Sequence, residues 1–402
     1  MDNQPKKGVN KKVKKFYIVL GMLLILLIPI AFMSGIIRDR ESYKNEAVNN
    51  VKMSWADSQI IYPPSLTLNI PSKKGITKKT LELNNYEAEV DVKTETRKKG
   101  IFTVPVYIAE VELKGDFINP DGKIKNINTD LSFNVSDSKG FVSQPEFKLL
   151  SDKSATNTSK KYTKTLNTNA KNIPFEIKYE IRGINKIYVV PGGINNAIEI
   201  EGNWNNPSFD GDFLPKEKEI KNDSFEAEWE IPAIAASSLV NPRAGVSFLT
   251  PVDSYRMATR AVKYAFLFLS LTFLAFFIFE IASAKKRPVH QLQYLMMGGA
   301  MLIFYLLLLS LSEFCSFGFS YTIAAFMTIA LISTYTYFVI TKKENVKFTV
   351  LITTIMALLY VFLYILLMLQ DFSLLIGSIV LFLIMGVVMY STRNVEWNKD
   401  DD

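Results

Sequence analysis

The feature of this chain that most constrains its fold is an unbroken apolar run near its start, from Phe16 to Ile37. At about 1.5 Å of rise per residue, its roughly 22 residues give about 33 Å of helix, which is enough to cross the hydrocarbon core of a bilayer. A cleavable signal peptide has a shorter apolar core and a small-residue cleavage site, and this run has neither. The run, 16–37, therefore predicts a retained transmembrane anchor.

Further apolar runs of membrane-spanning length follow a long polar middle region. They predict a C-terminal bundle of five transmembrane helices over residues 262–391. The predicted helices are at about 262–282, 292–312, 317–340, 347–369 and 372–391. Together with the anchor they make six spans.

Basic residues in the short connections predict which side of the membrane each connection occupies, because lysine and arginine are retained on the cytoplasmic side. They occur in segment 1–15, at 285–287, at 342–347 and at Arg393 in the tail 392–402, whereas the turns SEFCSFGFS and LQDFS contain none. The pattern predicts that both termini are cytoplasmic and that residues 38–261 lie on the opposite side.

The formal net charge of +7 does not indicate nucleic-acid binding. The positive excess lies beside the membrane spans, while the middle region mixes lysine with aspartate and glutamate. We therefore expect the lipid bilayer, and no nucleic acid, among the partners. The single cysteine, Cys315, excludes an intrachain disulfide, so the middle region must be stabilised by its own core.

The middle region begins with a helical pattern. An apolar stripe recurs every four positions at Tyr43, Ala47, Val51 and Trp55. This spacing predicts a membrane-proximal helix over 38–61 that continues the anchor and ends before Pro63 and Pro64.

Residues 62–261 then alternate between apolar and polar side chains, as in YEAEVDVK and FEIKYEI, which predicts β-strands. Turn residues fall between these runs, at NPDG (119–122) and PGG (191–193). The pattern predicts an antiparallel, β-rich, sandwich-like domain. The fold class predicted for the chain is therefore an α+β membrane protein with an anchor, a large extracytoplasmic β-domain and a bundle of five transmembrane helices.

The residue types available restrict the catalytic chemistry of the β-domain. The only histidine, His290, lies in a predicted cytoplasmic loop, so the β-domain lacks the residues for a Ser-His-Asp triad, a Cys-His pair or a histidine-ligated zinc. A Ser/Lys dyad or a two-carboxylate site is formally possible, but these residues are too abundant to indicate one. We expect no enzymatic activity, no metal and no cofactor, and the sequence identifies no catalytic residues.

One short loop, NWNNPSFDGDFLP at 203–215, concentrates aromatic, turn-forming and acidic residues. It is compatible with a catalytic pair formed by Asp210 and Asp212, with a partner-binding surface, or with an apolar plug at one end of the β-domain. Turn chemistry favours the plug, with both aspartates capping backbone N–H groups, and leaves partner binding open. The residues of this structural or partner loop are Trp204, Pro207, Phe209, Gly211, Phe213 and Pro215.

Charged residues also lie near two predicted helix ends on the outer side of the membrane. Antiparallel packing of the second and third spans would bring Lys263, or Arg260, to the depth of Glu313. The sequence therefore predicts an interhelical ion pair between Lys263 and Glu313 with a structural role.

Several long stretches of the chain resemble the CreD family of bacterial inner-membrane proteins. They are YVVPGGINNAIEIEGNWNNPSFDGDFLP, FLTPVDSYRMATRAVKYAFLFLSLTFLAFFIFE, HQLQYLMMGGAMLIFYLLLLSLSEFCSFG and STRNVEW. The resemblance implies an inner-membrane protein associated with envelope integrity and colicin tolerance, in a regulon controlled by a two-component system, without an established catalytic activity. It implies no active-site residues.

Two functional hypotheses follow. The leading one is a non-enzymatic envelope protein that contributes to envelope integrity or stress response. Its residues 38–261 are periplasmic, and its β-domain, residues 62–261, meets a periplasmic or envelope protein or another ligand. The alternative is a transporter of small solutes or lipids built on the six spans. A transporter needs a polar, water-accessible cavity at mid-depth in the helical bundle, whereas an anchor does not.

Overall fold

The structure is a computed structural model of the chain. It describes residues 11–73, 75–150, 155–157, 159–248, 254–282, 289–341, 346–369 and 372–393. The basic positions expected in segment 1–10, at 285–287 and at 342–343 lie outside the described residues, as does the tail beyond Arg393. The chain divides into two compact units: a β-domain over Lys44–Pro251, and a helical unit of Met1–Tyr43 with Val252–Asp402.

The first helix, α1, runs over Lys11–Ser54 and contains both the predicted anchor and most of the predicted membrane-proximal helix. In its apolar stripe Ala47 and Val51 are buried, whereas Tyr43 is 57% exposed. The predicted helix end at residue 61 is wrong, because the helix ends at Ser54 and a strand begins at Gln59.

Pro63 and Pro64 therefore do not end a helix but lie inside the first strand, β1 (Gln59–Ser72). The register of β1 against the fourth strand shifts between Tyr62 and Ser65, on either side of the two prolines. Proline has no N–H to donate to a sheet, so such an irregularity is where a strand accommodates it.

The described residues of the β-domain form fourteen strands. They are β1, β2 (Gly75–Lys99), β3 (Phe102–Ile118), β4 (Ile124–Val135), β5 (Glu146–Leu149), β6 (Ala155–Thr156), β7 (Lys161–Thr168), β8 (Asn172–Ile184), β9 (Lys186–Val189), β10 (Asn195–Gly202), β11 (Pro207–Gly211), β12 (Glu217–Ile220), β13 (Phe225–Pro232) and β14 (Ala244–Phe248). A short helix, α2 (Ala233–Ser237), follows β13.

The strands form two sheets that are joined through β2. Up to Leu81 this strand pairs with β1 in sheet A, which also contains β4, β7, β9, β11 and β14. From Glu82 onward it pairs with β3 in sheet B, which also contains β5, β6, β8, β10, β12 and β13. Both sheets contribute to one apolar core, for example Leu66 and Leu131 from sheet A and Ile177 and Trp229 from sheet B. The predicted fold class is confirmed.

Two details of the sheets differ from the sequence-based prediction. The pairing is mixed rather than purely antiparallel, because β1 pairs with β9 and β10 pairs with β2 in parallel. The NPDG and PGG turns also do not close hairpins. They connect β3 to β4 and β9 to β10, and in each case the chain passes from one sheet to the other. The proline and glycine dihedrals that suit a hairpin turn suit such a crossing equally well.

The helical unit continues with α3 (Ser254–Lys263) and α4 (Ala265–Ala282). These two helices are bent against each other by 45°. Residues 254–261, which the sequence assigned to the β-domain, are thus helical and belong to the helical unit. The helix α3 is amphipathic, whereas α4 is apolar almost throughout. The helical alternation of apolar and polar residues in the sequence therefore stops at the bend.

Four further helices complete the described part of this unit. They are α5 (Gln291–Ser312), α6 (Phe317–Tyr335), α7 (Val346–Met368) and α8 (Ser373–Thr392), with a π-helical turn at Thr336–Ile340 after α6. Among the described residues five helices are long and apolar enough to cross a membrane, or six if α3 and α4 form one bent span.

Candidate functional site

The predicted loop at 203–215 contains an edge strand. Residues Pro207–Gly211 form β11, which pairs antiparallel with β14, and Phe209 lies opposite Val246. Pro207 therefore begins a strand instead of turning the chain out of the sheet. An edge strand tolerates proline at its start because the missing N–H is not required there.

The aromatic residues of this segment pack inward. Trp204, Phe209 and Phe213 are half-buried against the core of the β-domain. The ring of Phe209 makes edge contacts with Phe225 and Trp229, and Trp229 Nε1 donates a hydrogen bond to the Phe213 carbonyl at 3.0 Å. The side chain of Leu214, by contrast, is 81% exposed. The segment thus closes this end of the core and leaves one large apolar side chain outside it.

Gly211 and Asp212 fasten the end of β11 to the start of β14. Gly211 has a φ of +115°, and a Cβ at this position would lie 2.4 Å from the Arg243 carbonyl oxygen. The next residue bonds Arg243 twice, because Asp212 N donates to the Arg243 carbonyl at 2.7 Å and Asp212 Oδ2 accepts from Arg243 N at 2.9 Å. The carboxylate of Asp212 therefore caps a backbone N–H group.

Asp210 is the centre of a polar cluster on sheet A. Its Oδ2 accepts hydrogen bonds from Lys186 Nζ, Tyr188 Oη and Ser247 Oγ, each at 2.9 Å. Its Oδ1 accepts from Gly211 N, also at 2.9 Å. The ring of Tyr188 reaches the carboxylate across Gly245, where a Cβ would lie 2.7 Å from Tyr188 Cδ1. The Lys186 ammonium, followed by the other donors, holds the pKa of the Asp210 carboxyl far below its usual range.

The hydrogen bonds and pKa shifts of this cluster fit a structural role and not a catalytic one. The bond to Asp210 raises the pKa of Lys186, whereas a lysine that serves as a general base needs a lowered pKa. Ser247 is only 2% exposed and its hydroxyl donates to Asp210. Asp210 and Asp212 make their hydrogen bonds to different groups, so the two carboxylates do not converge on one point.

The predicted Lys263–Glu313 ion pair is wrong. Arg40 of α1 donates from Nε to Glu313 Oε1 at 2.7 Å and from Nη2 to Oε2, and Tyr255 Oη donates to Oε1 at 2.9 Å. Lys263 is exposed, and Arg260 donates to the carbonyl groups of Leu366 and Leu369. A guanidinium bonds a carboxylate at two points, which an ammonium cannot reproduce.

A second carboxylate of the helical unit also bonds a cation of α1 and a tyrosine hydroxyl. Glu280 of α4 forms an ion pair with Lys15 of α1 and accepts hydrogen bonds from Tyr294 Oη at 3.1 Å and Val289 N at 3.2 Å. Lys15 and Arg40 are separated by about 38 Å of helix, at about 1.5 Å per residue. Each end of the apolar run in α1 thus supplies one cation to a carboxylate of the bundle.

Hydroxyl groups inside the bundle bond neighbouring helices. The hydroxyl oxygens of Ser333 on α6 and Thr353 on α7 lie 2.7 Å apart. Tyr321 Oη of α6 donates a hydrogen bond to the Tyr360 carbonyl of α7 at 2.6 Å. Such contacts are typical of helix association in lipid.

Sequence reasoning missed an acidic surface on sheet B. Two rows of carboxylates cross its strands on the face directed away from the core, with directly opposed partners in each row. We call these two rows the acidic face. One row is Glu217, Glu228, Glu199, Glu89 and Glu112. The other is Glu219, Glu226, Glu201, Asp91, Glu110 and Glu180. The signal was present in the sequence as acidic residues at every second position of EVDV, EIEG and EAEWE.

Lysines neutralise both flanks of the acidic face, since Lys221 bonds Glu219 of β12 at 3.1 Å and the other flank has lysine partners as well. Lys114 bonds Glu89 and Glu112, and Lys93 bonds Glu110. On β10 and β13, the carboxylates Glu199, Glu201, Glu226 and Glu228 form no ion pair within the described residues. Burial and the repulsion of its neighbours, Glu228 first, raise the pKa of Glu199. An open groove of about 700 Å³ runs along this face and includes Glu89, Glu112, Glu199 and Glu201 in its lining.

Comparison with known proteins identifies the family of this chain. The family model of the inner membrane protein CreD matches residues 11–398. The chain belongs to the CreD family. The inner membrane protein CreD of Escherichia coli K12 is 29% identical over 417 aligned residues, which cover 94% of this chain and 92% of the relative. Membership in the CreD family and the apolar helices make this chain a multi-pass protein of the inner membrane.

Two solved structures match this chain weakly. A crystal structure described as a candidate nutrient-binding protein of Legionella pneumophila matches with a TM-score of 0.32 and 7% identity, covering 62% of this chain and 98% of its own. An M1 zinc metallopeptidase of Deinococcus radiodurans matches with a TM-score of 0.25 and 9% identity, covering 46% of this chain and 53% of its own. At these TM-scores neither likeness carries an argument about function.

Proposed function

We propose that this CreD-family chain is a non-enzymatic envelope protein whose β-domain lies in the periplasm and binds a cationic partner at the acidic face. The observation that carries the proposal is a block of four carboxylates that form no ion pair in the described part of the chain, Glu199 opposite Glu228 and Glu201 opposite Glu226. Like charges directly opposite each other destabilise a sheet. These opposed carboxylates lower the stability of the sheet and are open to solvent, which supports a role in binding a partner.

The periplasmic orientation is supported by the distribution of basic residues. Lysine and arginine flank the spans in segment 1–15, at 285–287 and at 342–347, whereas the turns SEFCSFGFS and LQDFS have neither. A positively charged protein segment is the partner that the acidic face would attract, and electrostatic complementarity of this kind favours rapid and selective association.

The alternative of a transporter is not favoured by a specific observation. Glu280 and Glu313 are engaged by cations of α1, and the hydroxyl groups described between α6 and α7 bond the two helices to each other. An intramembrane carboxylate of a transporter would be expected to face a water-filled path.

Crosslinking in living cells tests the proposal. Ala197 is exposed, uncharged and two residues from Glu199 on the same face, so a photoreactive phenylalanine analogue in its place leaves every carboxylate intact. We expect crosslinked adducts from this position that disappear when Glu199→Lys and Glu201→Lys are introduced together. The same probe at Thr165, an exposed position on β7 of sheet A, is the control. An identical set of adducts from both positions, or none from Ala197, would reject the acidic face as the binding surface.

A pair of substitutions outside the acidic face separates a local binding surface from a general effect of charge. Glu82→Gln combined with Asp121→Asn removes two carboxylates outside the two rows and should leave the adducts unchanged. Adduct loss in this control as well would show a general charge effect and contradict a local binding surface.

A further inference from the structure

Two arginines share one tryptophan at the edge of the β-domain. The guanidinium carbon of Arg97 on β2 lies 4.0 Å from the ring centroid of Trp55, and that of Arg182 on β8 lies 4.9 Å from the same centroid. Trp55 follows the end of α1 and packs against a small apolar cluster that includes Val51 and Val104. The packing fixes the ring, and the ring in turn holds both guanidinium groups.

The positive charges of this group are not compensated by contact. Among the described residues neither Arg97 nor Arg182 forms an ion pair, although Glu95 and Glu180 lie two positions away on the same strands. Trp55 Nε1 and Arg182 Nε are also buried donors for which the described residues provide no acceptor.

Stacking on an aromatic ring leaves the N–H edges of a guanidinium available. Both guanidinium carbons lie over the indole ring, and the N–H donors of the exposed Arg97 match the oxygens of an oxyanion. Two guanidinium groups together offer donors to at least three oxygens, and a phosphate group presents that number whereas a carboxylate presents two.

We infer that Arg97 and Arg182 form a binding site for a phosphate group around Trp55. The source of the phosphate is either a phospholipid headgroup or a soluble phosphate compound. The inference does not rest on the proposed function, because it concerns cations outside the acidic face and a ligand of opposite charge.

Binding of two probes to the full chain in detergent tests the inference. The probes are inorganic phosphate and short-chain phosphatidylglycerol, titrated by calorimetry against a buffer with chloride at the same ionic strength. We expect Arg97→Gln combined with Arg182→Gln to weaken binding of phosphate about tenfold or more, since two charge-assisted contacts are removed. Lys98→Gln, which removes a neighbouring charge from the opposite face of β2, should change it less than about twofold.

The two probes distinguish the sources of the phosphate group. Tighter binding of phosphatidylglycerol than of phosphate, lost in the double variant, indicates a headgroup, whereas equal affinities indicate a soluble ligand, and both results support the site. Equal phosphate affinity in the wild type and in the double variant would overturn it, as would full displacement by chloride, which indicates an adventitious ion only. If the double variant unfolds at a lower temperature, Arg97→Gln alone gives the test, because this side chain is exposed and its loss leaves the Arg182 contact intact.

Discussion

Arg40 and Glu313 are 273 positions apart in the chain and form a two-point ion pair in the helical unit. The side chain of Glu313 is only 6% exposed, whereas that of Arg40 is 39% exposed. Removal of the arginine would therefore leave an almost buried carboxylate, for which Tyr255 is the side-chain donor that remains among the described residues. This asymmetry sets the first prediction.

We expect Arg40→Ala to lower the free energy of unfolding of the helical unit by about 2 to 3 kcal/mol, since breaking a buried ion pair strands a charge. Lys263→Ala should change it by less than about 0.5 kcal/mol, because Lys263 is an exposed surface residue. Denaturant titration in detergent measures both, and a double-mutant cycle with Glu313→Ala should give coupling for Arg40 and none for Lys263. Equal effects of the two cations would contradict the pairing.

Phe209→Ala should destabilise the β-domain by about 2 to 3 kcal/mol, somewhat less than the loss of a fully buried aromatic. Its ring contacts Phe225 and Trp229 in the closed end of the core. Leu214→Ala is the control in the same segment and should be close to neutral, because its side chain is 81% exposed. Thermal unfolding followed by tryptophan fluorescence compares them, and a neutral Phe209 variant would show that the segment does not close the core.

Asp210→Asn should reduce the stability of the β-domain at neutral pH by about 1 kcal/mol, a value that allows for solvent screening of a side chain that is 42% exposed. The folded-state pKa of this carboxyl is lowered, so its contribution is fully present above the usual aspartate pKa of 3.8 and is lost as the pH falls below it. The difference between the wild type and the Asn variant should therefore shrink below about pH 4. Unfolding curves at pH 7 and pH 3 test this, and a difference that grows in acid would contradict the assignment.

Glu199→Gln should stabilise the β-domain by about 0.5 kcal/mol at neutral pH, since it removes one of several opposed like charges. The folded-state pKa of Glu199 is raised, so the wild type binds its proton earlier than the unfolded chain does and gains stability as the pH falls. The advantage of the Gln variant should thus diminish from pH 7 towards pH 4. Equilibrium unfolding across this range measures the trend, and a constant advantage would show that repulsion is not its origin.

Cys315 is exposed and should react with a membrane-impermeant thiol reagent added to spheroplasts, because the turn that contains it is predicted to lie outside the cytoplasm. Cys315→Ser gives the background signal. Labelling confined to inverted vesicles would reverse the predicted orientation and place the β-domain in the cytoplasm.

Much of the architecture could be predicted from sequence, because an apolar run of about twenty residues has few stable alternatives to a transmembrane helix. The third span was expected at 292–312, and α5 occupies Gln291–Ser312. The edge strand β11 was missed for a physical reason, since five residues that begin with proline and end with glycine look like a loop until β14 pairs with them. The end of α1 was misplaced because the prolines at 63 and 64 suggested a helix end and are accommodated by an irregularity in β1.

The sequence by itself determined which segments are apolar helices and which alternate as strands, because hydropathy and periodicity are properties of short windows. Only the tertiary structure decided which charges meet. Glu313 bonds Arg40 rather than Lys263, Asp210 gathers Lys186 and Ser247, and the carboxylates of β10 stand opposite those of β13. Such pairings depend on strand order and helix packing, which result from many distant contacts acting together, and no single stretch of the chain contains that information.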